Sequence, residues 1–259
     1  MRIGLIQMSI ESGEKERNIR HAFRLLEEAA PRCELLVLPE LWTIGYDFRR
    51  IGEQATRPGD ALIEGLAAFA RAHRVTLAAG TLPIVHRGAL TNTGLVFGPD
   101  GRIQGHYSKR HLFYGYLESE LMKPGTHAMQ TDIGGIACGM AVCYELYFPE
   151  LFRAMAKKGT TLVLVPASWP LLHVSRWEVL ARARAIENGM YICAVNMSGA
   201  YHGVELGGHS MLIDPEGNVL TAAGKGEAIL YGDYDEETYR DLGQKLAVIR
   251  SVRDRLEEE

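Results

Sequence analysis

The chain of 259 residues is 47% hydrophobic and 23% charged, which is the composition of an ordinary globular protein. Its 28 lysines and arginines against 32 acidic residues give a formal net charge of −4, so the charge gives no reason to expect binding to DNA or RNA. The sequence has no stretch of about 18 apolar residues that would cross a membrane. The opening MRIGLIQMSIES is too short an apolar run for a signal peptide, and we therefore expect a cytoplasmic protein.

Four cysteines are candidates for chemistry, and none belongs to a CxxC pair. In a reducing compartment Cys33, Cys138, Cys143 and Cys193 should remain free thiols, and structural zinc is not expected. The histidines are scattered without metal-ligand spacing, so we predict no metal ion. No GxGxxG follows a strand and no GxxxxGK[ST] occurs, which disfavours sites for dinucleotides and nucleotide phosphates.

Strand and helix patterns alternate along the first half of the chain, which predicts an α/β fold. A turn at Pro99-Asp100-Gly101 between two apolar runs adds a β-hairpin. A long polar and aromatic loop is predicted over about 109–127. The predicted elements before it are strands at 2–8, 34–40 and 75–80, a hairpin at 92–109, and helices at 14–30 and 61–73.

The second half repeats this alternation, so residues 1–100 and 130–235 resemble two halves of similar construction. The hairpins imply mixed sheets, and we predict a single α/β domain over 1–259. The charged tail from about 236 should begin as a helix. The predicted elements are strands at 136–142, 161–170, 191–196 and 228–235, helices at 148–158 and 174–188, and a hairpin at 209–224.

Three polar residues follow predicted strands, where α/β proteins place their functional groups. Glu40 ends LLVLPE, Lys109 follows RIQGHYS, and Cys143 ends IACGMAV. Strand alternation would put Cys143 on a face of small residues and leave room above its sulfur. The same alternation puts Cys138 among large apolar residues, which indicates packing.

The chemistry of a thiol explains why the three residues are considered together. A cysteine needs a base or a positive field to become a nucleophile, and a carboxylate such as Glu40 can take its proton. A lysine can stabilise an oxyanion. Taken singly, each residue has an ordinary interpretation, as a buried thiol, a solvated loop acid or a surface lysine. A cysteine–histidine hydrolase with His111 or His106 as base is the mechanistic rival.

Several strings resemble the motifs of the nitrilase superfamily of carbon–nitrogen hydrolases. LLVLPELWTIGY resembles the glutamate motif with Glu40, GHYSKRHLF the lysine motif with Lys109, and GMAVCYELYFPEL the nucleophile motif with Cys143. RIGLIQM, RARAIEN and GGHSMLIDPEGNV also fit, so the resemblance covers essentially the whole chain.

The resemblance implies a four-layer αββα sandwich, usually paired into dimers through helices near the nucleophile, with no cofactor or metal. The tail from about 236 would extend to an oligomer partner. Glu40 would be the general base, and Lys109 with the N–H of Tyr144 would hold the oxyanion. Glu118 would be a second glutamate that positions the substrate or assists proton transfer. The expected reaction is hydrolysis of a small amide through a thioester on Cys143, with release of ammonia.

Within the superfamily, PASWP followed by HVSRWEVLARARAIEN resembles the ω-amidase branch, which acts on 2-oxoglutaramate and 2-oxosuccinamate. That branch usually has an arginine where this chain has Tyr147, so recognition of a substrate carboxylate would fall to Arg176 or His173. Trp169 and Trp177 are candidates to line the pocket, to lie in the core or to form part of a dimer interface. Hydrolysis of a nitrile or N-carbamoyl amide by the same trio, or a catalytically silent binding protein, are the alternatives.

Overall fold

The computed structural model describes residues 1–114, 117–201 and 203–242. Its strands, in chain order, are β1 (Arg2–Gln7), β2 (Leu35–Val37), β3 (Thr76–His86), β4 (Ala89–Phe97), β5 (Ile103–Ser108), β6 (Gln130–Ile133), β7 (Ile136–Met140), β8 (Leu162–Ala167), β9 (Tyr191–Asn196), β10 (Ala200–Tyr201), β11 (Val204–Glu205), β12 (Met211–Ile213), β13 (Val219–Ala222) and β14 (Ala228–Asp233). The α-helices are α1 (Lys15–Ala29), α2 (Ile51–Gln54), α3 (Ala61–His73), α4 (Glu118–Leu121), α5 (Pro149–Lys157) and α6 (Val174–Asn188).

The four longer helices and both predicted hairpins lie where the sequence pattern places them. Local chemistry explains the helix boundaries. The Asp60 side chain caps α3 by accepting from the N–H of Leu62, and Pro149 opens α5 at a position where no N–H is needed. Gly189 ends α6 in the left-handed conformation, which glycine adopts without steric cost.

Two six-stranded mixed sheets form the centre of the molecule. Their strand orders are β14-β1-β2-β3-β4-β5 and β13-β12-β9-β8-β7-β6. In the first sheet β1, β2 and β3 are parallel, and β14, β4 and β5 run against their neighbours. In the second, β7, β8 and β9 are parallel, and β6, β12 and β13 are antiparallel. The two sheets therefore share one topology, which agrees with the two similar halves expected from the sequence.

The hydrophobic clusters give the order of the layers. One face of the first sheet, including Ile6 and Leu36, packs in a cluster with α1 and α3. Its other face, including Ile3 and Leu35, packs in a cluster with the second sheet, α5 and α6. The arrangement is therefore helices, sheet, sheet, helices, the four-layer αββα sandwich that the resemblance implies.

The structure departs from the sequence-based prediction at several elements: for example, β2 ends at Val37 rather than 40, β8 ends at Ala167 rather than 170, and α2, β10 and β11 were not predicted. Strand β3 continues from 80 to 86 and forms a hairpin with β4 that was not predicted. Strand β7 ends at Met140 rather than 142. The segment expected to be a loop at 109–127 contains the short helix α4.

The tail is helical over 236–242, as expected. The rest of it lies outside the described residues, as does the predicted contact with an oligomer partner. Among the helices that the structure describes, none is long and apolar enough to cross a membrane.

Candidate active site

The three strand-end residues and Glu118 meet in the interior. Glu40 lies three residues beyond β2, Lys109 directly after β5, and Glu118 opens α4. All three side chains have no exposed surface, and Cys143 is only 7% exposed. The carboxyl-end placement of α/β sites therefore brings together residues that are more than 100 positions apart in the sequence.

Lys109 lies between the two carboxylates. Its Nζ donates to Glu40 Oε1 at 2.8 Å and to Glu118 Oε1 and Oε2 at 3.1 and 2.9 Å. The ammonium thus contacts oxygens of both carboxylates, with a bidentate contact to Glu118. Burial disfavours the charged lysine, but the Glu40 and Glu118 carboxylates outweigh it and raise the Lys109 pKa above its usual value. Lys109 is a fixed positive charge beside the thiol.

Asn92, on β4, ties the two carboxylates together. Its Nδ2 donates to Glu40 Oε1 at 2.9 Å and to Glu118 Oε1 at 2.8 Å, and its backbone carbonyl accepts from the N–H of Lys109. Glu118 also accepts from the N–H of Phe113 at 2.7 Å. One buried amide side chain therefore fixes both acids and the start of the lysine segment.

The second oxygen of Glu40 faces the other side of the site. Tyr46 donates its hydroxyl to Glu40 Oε2 at 2.8 Å, and the N–H of Ser168 donates to the same oxygen at 3.1 Å. Ser168 follows β8 of the second sheet, so Glu40 is held by donors from both sheets. A buried carboxylate with four such donors keeps a defined orientation toward the thiol.

The Cys143 thiol is neutral in this environment. Burial raises its pKa well above the usual value, and the Glu40 carboxylate raises it further, against the opposing effects of Lys109 and the Ser168 N–H. A cysteine of this kind needs its proton removed at the time of attack. Glu40 is the carboxylate placed to accept it, since Tyr46 and Ser168, the two donors to its Oε2, line the same cavity as Cys143.

Cys143 itself occupies a sharp corner rather than a strand. Its φ is +50°, and the 3-10 helix Cys143–Tyr147 begins there. The expected room above the sulfur is present, but a strand face of small residues does not create it, because a side chain at Gly139 would meet Met155 of α5 at 2.5 Å. The corner, not strand alternation, directs the sulfur to the cavity.

Glu145 connects the nucleophile corner to the lysine segment. Its buried carboxylate accepts from the N–H of Val142 at 2.7 Å, from those of Arg110 and His111 at 2.9 and 3.1 Å, and from the Tyr107 hydroxyl at 2.8 Å. These donors flank both Lys109 and Cys143 in the sequence. Glu145 thereby fixes the separation of the two catalytic candidates.

A cavity of about 420 Å³ opens above Cys143. It is a pocket of a size that fits a small organic molecule. The predicted substrate-binding residues Tyr144, Trp169, His173 and Arg176 all line it. The other residues lining it are Tyr46, Phe113, Tyr147, Phe148, Ser168 and Pro170.

Other candidates from the sequence lie elsewhere. Trp177 is fully buried behind Trp169 and donates to the carbonyl of His209, so it is a core residue. His106 is exposed on β5 and lines a separate groove beside Thr93. His111 bonds to Glu145 and stacks on Phe148. The structure brings neither histidine to Cys143, and within the described ranges no cluster of three or more His, Cys, Asp or Glu side chains suits a metal ion.

Sequence reasoning missed Asn92, Tyr46 and Ser168. Asn92 had a detectable signal, because strand alternation puts this polar residue on the same face of β4 as Val96, which lies between the sheets. A buried polar residue on a core face indicates function. Tyr46 and the backbone of Ser168 had none, since their contacts depend on how the two sheets pack.

The comparisons with known proteins agree with this geometry. The family model described as "Carbon-nitrogen hydrolase" matches residues 2–244. The chain belongs to this family. This carbon–nitrogen hydrolase is 32% identical to the 2-oxoglutaramate amidase of Bacillus subtilis over 97% of both chains, and 32% identical to the omega-amidase NIT2 of Homo sapiens over 97% of this chain and 95% of that one.

The fold is matched as well. The crystal structure of Saccharomyces cerevisiae Nit3, a member of branch 10 of the nitrilase superfamily, superposes with a TM-score of 0.89 at 28% identity, covering 95% of this chain and 94% of that one. The resemblance to the nitrilase superfamily and to its ω-amidase-like branch is therefore confirmed, and so is the αββα fold class.

Proposed function

We propose that this carbon–nitrogen hydrolase is an amidase that releases ammonia from a small amide through a thioester on Cys143. The observation that carries the proposal is that Cys143 lines one cavity with Tyr46 and Ser168, the two donors to Glu40 Oε2, while Glu40 is paired with the buried Lys109 ammonium. A nucleophile, a base and a positive charge are the groups that acyl transfer from an amide needs.

In the first half of the reaction, Glu40 takes the proton of Cys143 as the sulfur attacks the amide carbon. Lys109 and the N–H of Tyr144 stabilise the oxyanion; the Tyr144 N–H lies in the first turn of a 3-10 helix, where helices have no internal acceptor. Protonated Glu40 then gives its proton to the nitrogen, the C–N bond breaks, and ammonia leaves the thioester.

The second half regenerates the enzyme. Glu40 takes a proton from water as the water oxygen attacks the thioester, the C–S bond breaks, and the thiol is re-formed with that proton. Glu118 holds Lys109 in place throughout and compensates its charge. The residues account for every proton, so the chain needs no additional group for these steps.

The preferred substrates are ω-amides of 2-oxo dicarboxylic acids, such as 2-oxoglutaramate and 2-oxosuccinamate. Support comes from the named activities of the relatives and from the cationic Arg176 side chain, which lines the cavity with Cys143 and His173. Tyr147 stacks on Trp169 with ring centroids 5.5 Å apart and forms a wall without charge. The substrate carboxylate would therefore meet Arg176.

The test is ammonia release from 2-oxosuccinamate, succinamate and butyramide, with Cys143→Ala as control. Succinamate and butyramide differ in the terminal carboxylate but present the same amide. We expect Arg176→Ala to raise KM for succinamate by about tenfold and to leave butyramide unchanged, because an exposed charged hydrogen bond contributes mainly to ground-state binding. An equal rise in KM for succinamate and butyramide would show that Arg176 does not bind the substrate carboxylate.

The same assay separates the alternatives. Cleavage of butyronitrile would indicate a nitrilase, and release of CO₂ with ammonia from an N-carbamoyl amino acid would indicate a carbamoylase. An acyl adduct on Cys143 in intact-mass spectra would identify the thioester. Activity in Cys143→Ala equal to that of the unmodified chain would contradict the mechanism.

We further propose that the chain forms one domain over 1–259 and works in the cytoplasm as a homodimer or larger oligomer. Its four cysteines are free, which fits a reducing compartment. Exposed apolar side chains on and beside α6, Leu172, Val179 and Ile186, support pairing through the helices next to the nucleophile.

A further inference from the structure

Tyr46 connects the general base to the cavity, and the reaction described above gives it no task. Its hydroxyl donates to Glu40 Oε2 at 2.8 Å in a buried position. Its ring lies between Phe48 and Tyr201, with centroid distances of 5.3 and 6.1 Å, and lines the cavity that contains Cys143. The hydroxyl is therefore held in place on Oε2, the oxygen whose two donors, Tyr46 and Ser168, line the cavity with Cys143.

Among the described residues, the groups that donate hydrogen bonds to Glu40 differ in whether they can also accept one. The Lys109 ammonium and the Asn92 amide nitrogen contact Oε1, and the Ser168 N–H contacts Oε2. These three groups can only donate, whereas a tyrosine hydroxyl can donate or accept. A proton on Oε1 would face Lys109 Nζ at 2.8 Å and Asn92 Nδ2 at 2.9 Å, and this is unfavourable because neither nitrogen can accept a hydrogen bond. A proton on Oε2 can face the Tyr46 oxygen once the hydroxyl turns.

We propose that Tyr46 is a positioning residue that directs the Cys143 proton to Oε2 of Glu40 and stabilises the resting carboxylate through its hydrogen bond. In the resting site Tyr46 donates to Oε2. When the S–H bond breaks and the Oε2–H bond forms, the Tyr46 hydroxyl turns and accepts. As Oε2–H passes its proton to the leaving nitrogen, the hydroxyl turns back. The inference rests on the proposed role of Glu40 as base.

The charges around Glu40 are compatible with this role. Lys109 is the positive group, Glu118 the second acid and Cys143 the neutral thiol. Burial raises the pKa of Tyr46 well above its usual value, and the Glu40 carboxylate raises it further. The hydroxyl therefore keeps its proton throughout and acts by turning, not by ionising.

The test compares Tyr46→Phe with Tyr107→Phe. Both changes remove one buried hydroxyl from a carboxylate, but Tyr107 bonds to Glu145 rather than Glu40. In Tyr46→Phe we expect the acid limb of the pH profile of kcat/KM for 2-oxosuccinamate to move about one pH unit higher, because the Glu40 carboxylate loses a hydrogen-bond donor. We also expect kcat to fall and KM to change little. Tyr107→Phe should leave the acid limb where it is.

A second measurement does not depend on any substrate. In protein labelled with ¹³C at glutamate carboxyl carbons, the Glu40 signal is assigned by its loss in Glu40→Gln. It should change to the protonated form at higher pH in Tyr46→Phe than in the unmodified chain. The inference would be overturned if the titration curves of the Glu40 signal coincided in Tyr46→Phe and the unmodified chain. It would also be overturned if Tyr107→Phe displaced the curve as much as Tyr46→Phe does. Inactivity of the unmodified chain would instead reject the proposed function, and the ¹³C curves would still decide the role of Tyr46.

Discussion

Glu40, Glu118 and Lys109 form one buried group with two carboxylates and one ammonium, all without exposed surface. A net negative charge in the interior is costly unless hydrogen bonds compensate it. Asn92 and the backbone N–H of Phe113 supply such bonds to the carboxylates. Burial, together with the Glu40 carboxylate, raises the pKa of the neighbouring Cys143 thiol and keeps it protonated, which is why the site needs a base instead of a preformed thiolate.

Backbone strain accompanies these residues. Leu41 directly after Glu40, Leu117 directly before Glu118, and Cys143 itself have φ values of +47°, +63° and +50°. Residues other than glycine adopt this left-handed conformation at a cost of about 1–2 kcal/mol each. Such strain persists where surrounding contacts enforce it, typically at active sites. The N–H of Leu41, for example, is fixed by the hydroxyl of Thr81.

The raised pKa of Cys143 predicts how the thiol reacts with iodoacetamide. Because only the thiolate reacts, the alkylation rate should rise from pH 6 to pH 9 without a plateau. Glu40→Gln removes a charge that raises the pKa, so this variant should alkylate about tenfold faster at a given pH. Ammonia release should nevertheless fall at least about 100-fold, because the base is lost. Peptide mapping at each pH gives the rates.

The other cysteines provide the internal control for this experiment. Cys138 and Cys193 are fully buried and should remain unlabelled in the native protein. Burial raises the pKa of the half-buried Cys33 to about 11, and a Cys33→Ser background removes its contribution. A wild-type alkylation rate that is already constant below pH 7 would mean that a thiolate is preformed, and Glu40 would then have no proton to take.

At the scale of elements, the site depends on close approach between β2 and β3. Gly80 interrupts β3 with φ +58°, and a methyl group there would lie 1.9 Å from the carbonyl oxygen of Pro39, next to Glu40. The ladder with β4 shifts register at this point. Gly80 is thus required because its φ is positive and because a side chain there has no room. Its bend lets β3 pass around the segment that carries Glu40.

We expect Gly80→Ala to lower the free energy of unfolding by about 2–4 kcal/mol and to reduce activity. Gly52→Ala is the matched control, since a methyl group at Gly52 in α2 would have no atom within 4 Å and alanine favours a helix. Thermal unfolding of both variants measures the difference. Equal midpoints of thermal unfolding for Gly80→Ala and Gly52→Ala would contradict the requirement for glycine at position 80.

Particular elements explain how far the sequence predicts the structure. The strand-end Glu40, Lys109 and Cys143 were predictable, because short apolar strands ending in polar residues have a clear local pattern. The hairpin at Arg87-Gly88 was missed: both residues have positive φ, 50° and 76°, as a two-residue hairpin turn requires, but the first is an arginine, which gives little turn signal. The corner at Cys143 was misjudged because Glu145, two residues further on, is held by Tyr107, Arg110 and His111, which are more than 30 positions away in the sequence.

At the scale of the whole molecule, the shared topology of the two sheets explains where the site lies. Glu40 follows β2 and Ser168 follows β8, which are equivalent strands in the two sheets. These two corners meet, since the N–H of Glu40 donates to the carbonyl of Ala167 and the N–H of Ser168 returns to the Glu40 carboxylate. The site thus forms where the equivalent ends of the two sheets meet.

The proposed dimer gives a prediction for the assembly. Val179 on α6 is 66% exposed and shares a groove with Tyr147 and Arg176, close to the mouth of the cavity. If a second copy covers this face, Val179→Glu buries an unpaired charge and should raise the dimer dissociation constant at least about tenfold. Sedimentation over a range of concentrations measures that constant.

Ile103→Glu is the matched control, because Ile103 on β5 is 50% exposed and lies outside the cavity. Both changes add one negative charge to an exposed apolar position and should leave the fold intact. A dimer that is weakened only by Val179→Glu would locate the interface on α6, beside Arg176 and the cavity mouth. Equal sedimentation of both variants and the unmodified chain would exclude the α6 face, and the second copy would then have no part in closing the substrate cavity.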